Sequence, residues 1–118
     1  MIGAFYEVYN GLGYGLLESV YAAALVEELT ARRHVVEREV FVDAYYKGKP
    51  IARQRIDLIV DKTIVLEIKA TEVLSRFAFR QMLSYLTVTQ LPIGLILHFG
   101  PRARFHRLVS TKRRTPKP

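Results

Sequence analysis

Two short stretches of alternating polarity constrain this chain more than any other feature: "RIDLIV" from Arg55 and "IVLEIK" from Ile64, separated by Asp61-Lys62-Thr63. A period of two marks strands. Ile56, Leu58 and Val60 share one side of the first, and Ile64, Leu66 and Ile68 share one side of the second. A slip of one residue would turn an apolar set outward, so a three-residue loop pairs Val60 with Ile64 and makes the six one buried face. Asp57, Ile59, Val65, Glu67 and Lys69 then lie on the opposite face, with Asp57 directly across from Glu67. Two carboxylates whose Cβ atoms stand roughly 5 Å apart across a ladder repel. A hard divalent cation offsets that repulsion, because Mg2+ is held by one or two carboxylates together with water and phosphate oxygens. Lys69 stands about 6.6 Å beyond Glu67 on the same side, long enough to reach a phosphate. The plainer reading is the solvated face of an amphipathic hairpin, on which acids and a lysine neutralise one another.

The rest of the sequence supplies the frame. "LLESVYAAALVEELTARR" from Leu16 reads as a helix, with a shorter helix before the glycines of "NGLGYG". Val35 to Tyr46 and Ile51 to Val60 form a hairpin around "KGKP", followed by a strand from Ile64 to Ala70. Leu74, Phe77, Ala78, Met82, Tyr85 and Leu86 recur at helical spacing, stopped near Pro92. "IGLILHF" and "RFHRLV" are the last two strands. The order is α-β-β-β-α-β-β, a mixed α/β layer. With 118 residues the chain is expected to be one domain over residues 1–110, with a basic, disordered tail over 111–118. The absence of cysteine removes disulfides, thiolate nucleophiles and Cys-based zinc sites, and fits a cytoplasmic setting. No apolar run of about 18 residues suggests a membrane span. The net charge of +7 favours a polyanionic partner, and the tail residues Lys112, Arg113 and Arg114 are candidates for phosphate contact or for solubility alone.

Two helical positions add to the acids. Glu18 shares the stripe of Tyr21, Leu25 and Leu29, and Gln81 shares that of Leu74, Phe77, Ala78 and Tyr85, so both are expected to be at least partly buried. Buried polar groups need partners, and a metal with its waters would satisfy both at the hairpin end. Pairing of Glu18 with a nearby arginine and of Gln81 with backbone is the competing use.

The pieces "GLLESVY", "RIDLIV", "LEIKA", "QMLSYL" and "GLILHFG", in this order and spacing, resemble the GxxExxY family, a branch of the PD-(D/E)XK nuclease superfamily. The resemblance spans Ile2 to Val109. It implies a restriction-endonuclease-like core, a central mixed β-sheet flanked by helices, and a metal-dependent nuclease hydrolysing phosphodiester bonds of DNA or RNA with Mg2+ or Mn2+. It also implies Asp57, Glu67 and the Ile68 carbonyl as metal ligands, and Lys69 as the residue that orients or activates the attacking water. Glu18 is implied to hold a further water or ion, and Gln81 to orient substrate or Lys69. Isoleucine precedes Asp57 where the superfamily motif has proline, His98 stands where relatives carry Asn, and Tyr9 where they carry His. Tyr21 and Tyr85 are candidates for stacking on bases or bonding a phosphate, or for packing beside the helix stripe. His34, His98 and His106 lack metal-ligand spacing. A catalytically silent nucleic-acid-binding or protein-interaction module is the alternative, and a homodimer through a sheet edge or the aromatic strand "VFVDAYY" is a third reading.

Overall fold

The computed structural model describes residues 1–110. Two helices, α1 (Ile2–Leu12) and α2 (Glu18–Ala31), precede β1 (Val36–Tyr46), β2 (Lys49–Val60) and β3 (Ile64–Lys69). Then come α3 (Arg76–Thr89), β4 (Ile93–Phe99) and β5 (Ala103–Val109). The first helix is longer than expected, running through Gly11 before Gly13, at φ 74°, ends it. Ser75 caps α3 by accepting from the Phe77 N–H at 3.0 Å, and Gln90 ends it in the left-handed region at φ 61°.

The five strands form one sheet in the order β1-β2-β3-β4-β5. All neighbours are antiparallel except β3 and β4, which α3 connects as a parallel pair. Helices cover both faces, giving the mixed sheet of a restriction-endonuclease-like fold. On one face Leu58, Val60, Leu66 and Ile68 pack with α1 and α2; on the other Ile59, Val65 and Ile96 pack with Ala78, Met82 and Tyr85 of α3. The hairpin's other side, for which a solvated face was the plainer reading, is therefore a second core. Phe77 departs from the expected stripe and is 64% exposed, because it sits in the first turn of α3.

Phe99, at the end of β4, closes the α1–α2 side. Its ring stacks on Tyr21 at 4.1 Å between centroids and meets Phe5 edge-on at 4.9 Å. The Tyr9 hydroxyl of α1 donates to the Gly100 carbonyl at 2.7 Å, joining the two ends of the described chain.

The β1–β2 hairpin reverses its faces partway along. Register is constant from Val36↔Val60 to Ala44↔Ala52, but Glu39 and Asp57 drop out of it, and Glu39 lies at φ 49°. On the inner side of this break Val36, Leu58 and Val60 face α1 and α2; beyond it Val40, Val42 and Ile56 face α3. Ile56 thus leaves the six-residue face expected from alternation, because a left-handed residue in the partner strand turns the pleat over.

Candidate active site

β2 and β3 pair from Val60↔Ile64 through Leu58↔Leu66, the expected register, and then part. The next opposed residues are Asp57 and Glu67, and their side chains replace the missing ladder. The Ile68 N–H donates to Asp57 Oδ2 at 2.8 Å, and the Asp57 N–H donates to Glu67 Oε1 at 3.3 Å. Each carboxylate is thereby held by the opposite strand's backbone at the crotch of the fork. The fork is rigid on its β3 side, since Glu67, Ile68 and Lys69 remain paired with Ile96, Leu97 and His98 of β4.

Glu67 is 4% exposed. Burial first, and then the neighbouring Asp57 charge, push its carboxyl up to about 8. Lys69 Nζ approaches Glu67 Oε2 at 3.9 Å and donates to Gln81 Oε1 of α3 at 2.9 Å. Tyr85 stands close enough that burial and then the Glu67 charge push its hydroxyl up to about 12. On the α2 side, Asp57 and Ile68 line a cavity of about 240 Å³ whose wall includes Glu18, Arg38 and Arg55. The donor set is oxygen only, two carboxylates at a site where their mutual charge is costly, which fits a hard divalent cation and not a soft one. Among the described residues no group of three or more His, Asp or Glu gathers tightly enough to hold an ion by side chains alone. Ile68 at the cavity wall leaves its carbonyl as the candidate third donor.

A family model described as the PD-(D/E)XK nuclease superfamily matches residues 1–109. The chain belongs to that superfamily. The crystal structure of SSO0001 is similar with a TM-score of 0.63 and 21% identity, over 81% of this chain and 52% of that one. The likeness is one of fold, and the PD-(D/E)XK chain spans about half the length of SSO0001. No curated protein matches the sequence. PD-(D/E)XK proteins are usually hydrolytic nucleases that use divalent metals, with nucleic acid as substrate.

Within the PD-(D/E)XK frame, the fork brings Asp57, Glu67, Ile68 and Lys69 together, and α3 adds Gln81. Glu18 departs from expectation: as the first residue of α2 it is exposed at the cavity mouth rather than buried with Tyr21 and Leu25. Of the two uses open to Tyr21 and Tyr85, the structure shows packing and not base stacking, because both rings are buried, at 0% and 3% exposure. The Tyr21 hydroxyl donates to the Gly13 carbonyl at 2.6 Å and accepts from the Leu16 N–H at 3.2 Å, ordering the glycine loop before Glu18. The Tyr85 hydroxyl donates to the Arg55 carbonyl at 2.9 Å, tying α3 to β2 beside Asp57. Lys112, Arg113 and Arg114 lie outside the described residues. His34 binds Asp61 at 2.7 Å, and His98 binds the Thr71 carbonyl at 2.6 Å, so both serve loops. Arg38 and Arg55 were not anticipated. Arg55 was legible as the residue two before Asp57 on the same pleat; Arg38 depends on a hairpin register that spans the whole β1–β2 arm.

Among the described residues no helix is long and apolar enough to cross a membrane.

Proposed function

We propose that this PD-(D/E)XK chain is a nuclease of the GxxExxY branch that hydrolyses phosphodiester bonds of DNA or RNA with Mg2+ or Mn2+ in the cytoplasm. The observation that carries the reading is the fork: two acids from separate strands share one crotch, with a lysine anchored beside them. Asp57 and Glu67, with the Ile68 carbonyl, would hold the cation, and Glu18 at the cavity mouth would bind its outer water shell. Bound there, a cation would supply Lewis acidity to the phosphodiester and would neutralise the acid pair. Lys69 orients the attacking water and meets developing negative charge, and Gln81, by accepting from the ammonium, keeps it pointed at the fork. Ser75 contributes indirectly, since its cap starts the helix that carries Gln81.

A panel of labelled single-stranded, double-stranded and branched DNA and RNA, with Mg2+ or Mn2+, tests this. Wild type is expected to cut at least one substrate, and Asp57→Ala and Lys69→Ala to lose at least about 100-fold in rate, the usual scale for a positioned acid–base or charge-stabilising group. Equal cutting by wild type and both variants would assign the activity to a contaminant. Calorimetric titration of Mn2+ should give a site that Glu67→Gln weakens. Salt-sensitive binding of every substrate with no cleavage would favour the silent binding module.

A further inference from the structure

The face reversal at Glu39 leaves one side of the β1–β2 arm bare. Beyond the break Val40, Val42 and Ile56 pack on the α3 side, and Gln54 Nε2 donates to Ser84 Oγ of α3 at 2.9 Å. Alternation turns Phe41, Arg53 and Arg55 to the other side, which α2 meets only at the Arg55 end, across the cavity. Phe41 is 56% exposed, and the side chains of Arg53 and Arg55 are 68% and 51% exposed. The row begins at the acids themselves, since Arg55 lies 3.7 Å from Asp57 Oδ1 and lines the same cavity. Arg38 joins it there and has no acidic partner within ion-pair distance among the described residues. Farther out, the Arg53 guanidinium sits 5.6 Å from the centre of the Phe41 ring.

A cavity walled by Glu18, Glu39 and Asp57 repels a polyanion unless cations stand beside it. Arg38 and Arg55 provide them, in the planar form suited to phosphate. The exposed Phe41–Arg53 pair has a different use. An aromatic ring or a guanidinium plane stacks on a base only when that base has a free face, as in an unpaired strand. A second copy of the chain is the poorer occupant, because Asp43, Glu39 and Asp57 already have Arg53 and Arg55 as partners within this face and leave a two-fold contact few new ion pairs to make. We infer that the bare face of the β1–β2 arm is the track for an unpaired nucleic-acid strand, with Arg38 and Arg55 on its phosphates near the acids and Phe41–Arg53 stacking on a base. This deepens the nuclease reading and rests on it for the direction of the strand toward the fork.

Fluorescence anisotropy of labelled oligothymidylate and of a duplex of equal length, in chelator so that nothing is cut, tests the track. Wild type is expected to prefer the single strand. Arg38→Glu should weaken that binding at least about tenfold and lower the salt slope by about one, and Phe41→Ala should weaken it about tenfold. Both variants should keep the wild-type melting temperature. Unchanged single-strand affinity in both, a duplex preference indifferent to Phe41→Ala, or a wild-type dimer that Phe41→Ala splits would each overturn the inference. Cleavage is scored separately with Mn2+. A chain that binds through Arg38 and Phe41 but cuts nothing removes the nuclease reading and leaves the track, whereas cutting with variant-insensitive binding does the reverse.

Discussion

Glu67 has two opposed effects. Its folded carboxyl titrates near 8 instead of the ordinary 4.5, so between those values the native state holds a proton that the unfolded chain has released. A raised carboxyl pKa stabilises the fold fully below the lower value, and that stability is lost as pH rises toward the upper one. In chelator, thermal melts from about pH 5 to about pH 9 should therefore fall for wild type and stay flatter for Glu67→Gln. Glu67→Gln should be the more stable protein at the alkaline end and the poorer binder of Mn2+. On the proposed reading, the same melts repeated with Mn2+ should raise wild type most at high pH, where the Glu67 carboxyl is already deprotonated. The acid pair was legible as residues because period-two alternation and a three-residue loop define their register. The reciprocal capping was not, since nothing in "RIDLIV" or "LEIKA" says that the ladder ends where the acids begin. Tyr21 and Tyr85 stayed open between two uses, because an aromatic beside a helical stripe has the same sequence signature whether it stacks on a base or fills a core.

At the scale of elements, the reversal in the hairpin depends on one residue. A non-glycine residue in the left-handed region costs roughly 1–2 kcal/mol, and Glu39 at φ 49° bears that cost in the middle of a strand. Its ion pair with Arg55, at 3.7 Å and largely exposed, returns little. Glu39→Gly should therefore hold or raise the melting temperature, while Glu39→Val, which resists this backbone, should lower stability by about 1–2 kcal/mol. Thermal and chemical denaturation of the three proteins measure the two effects. The elements themselves were readable: β2, β3 and α3 begin and end within a few residues of their expected bounds, since apolar period, turn residues and Pro92 are local signals. The reversal was not readable, because a glutamate at a positive φ has no compositional mark and its cause lies in how β1 and β2 share two helical layers.

For the whole molecule, the proposed cation binding would be linked to folding. An ion that binds only the folded fork stabilises it by mass action, about 2.7 kcal/mol at a concentration of 100 times the dissociation constant. For a domain of this size that corresponds to a rise of several degrees in melting temperature. Wild type should show it with Mn2+ and lose it on chelation, and Asp57→Asn should show little of either. A rise of equal size in Asp57→Asn would place the ion elsewhere. The aromatic hub at Phe99 has a different consequence, one for biosynthesis. Tyr9 and Gly100 are 91 positions apart, so the first helix emerges from the ribosome long before the surface it must rest on. β2 and β3 give α1 and α2 part of their bed earlier, but the Phe99 stack on Tyr21 and the Tyr9 bond to Gly100 close last. The α1–α2 side of the core, with the glycine loop that Tyr21 orders before Glu18, is thus completed only after β4 has been made.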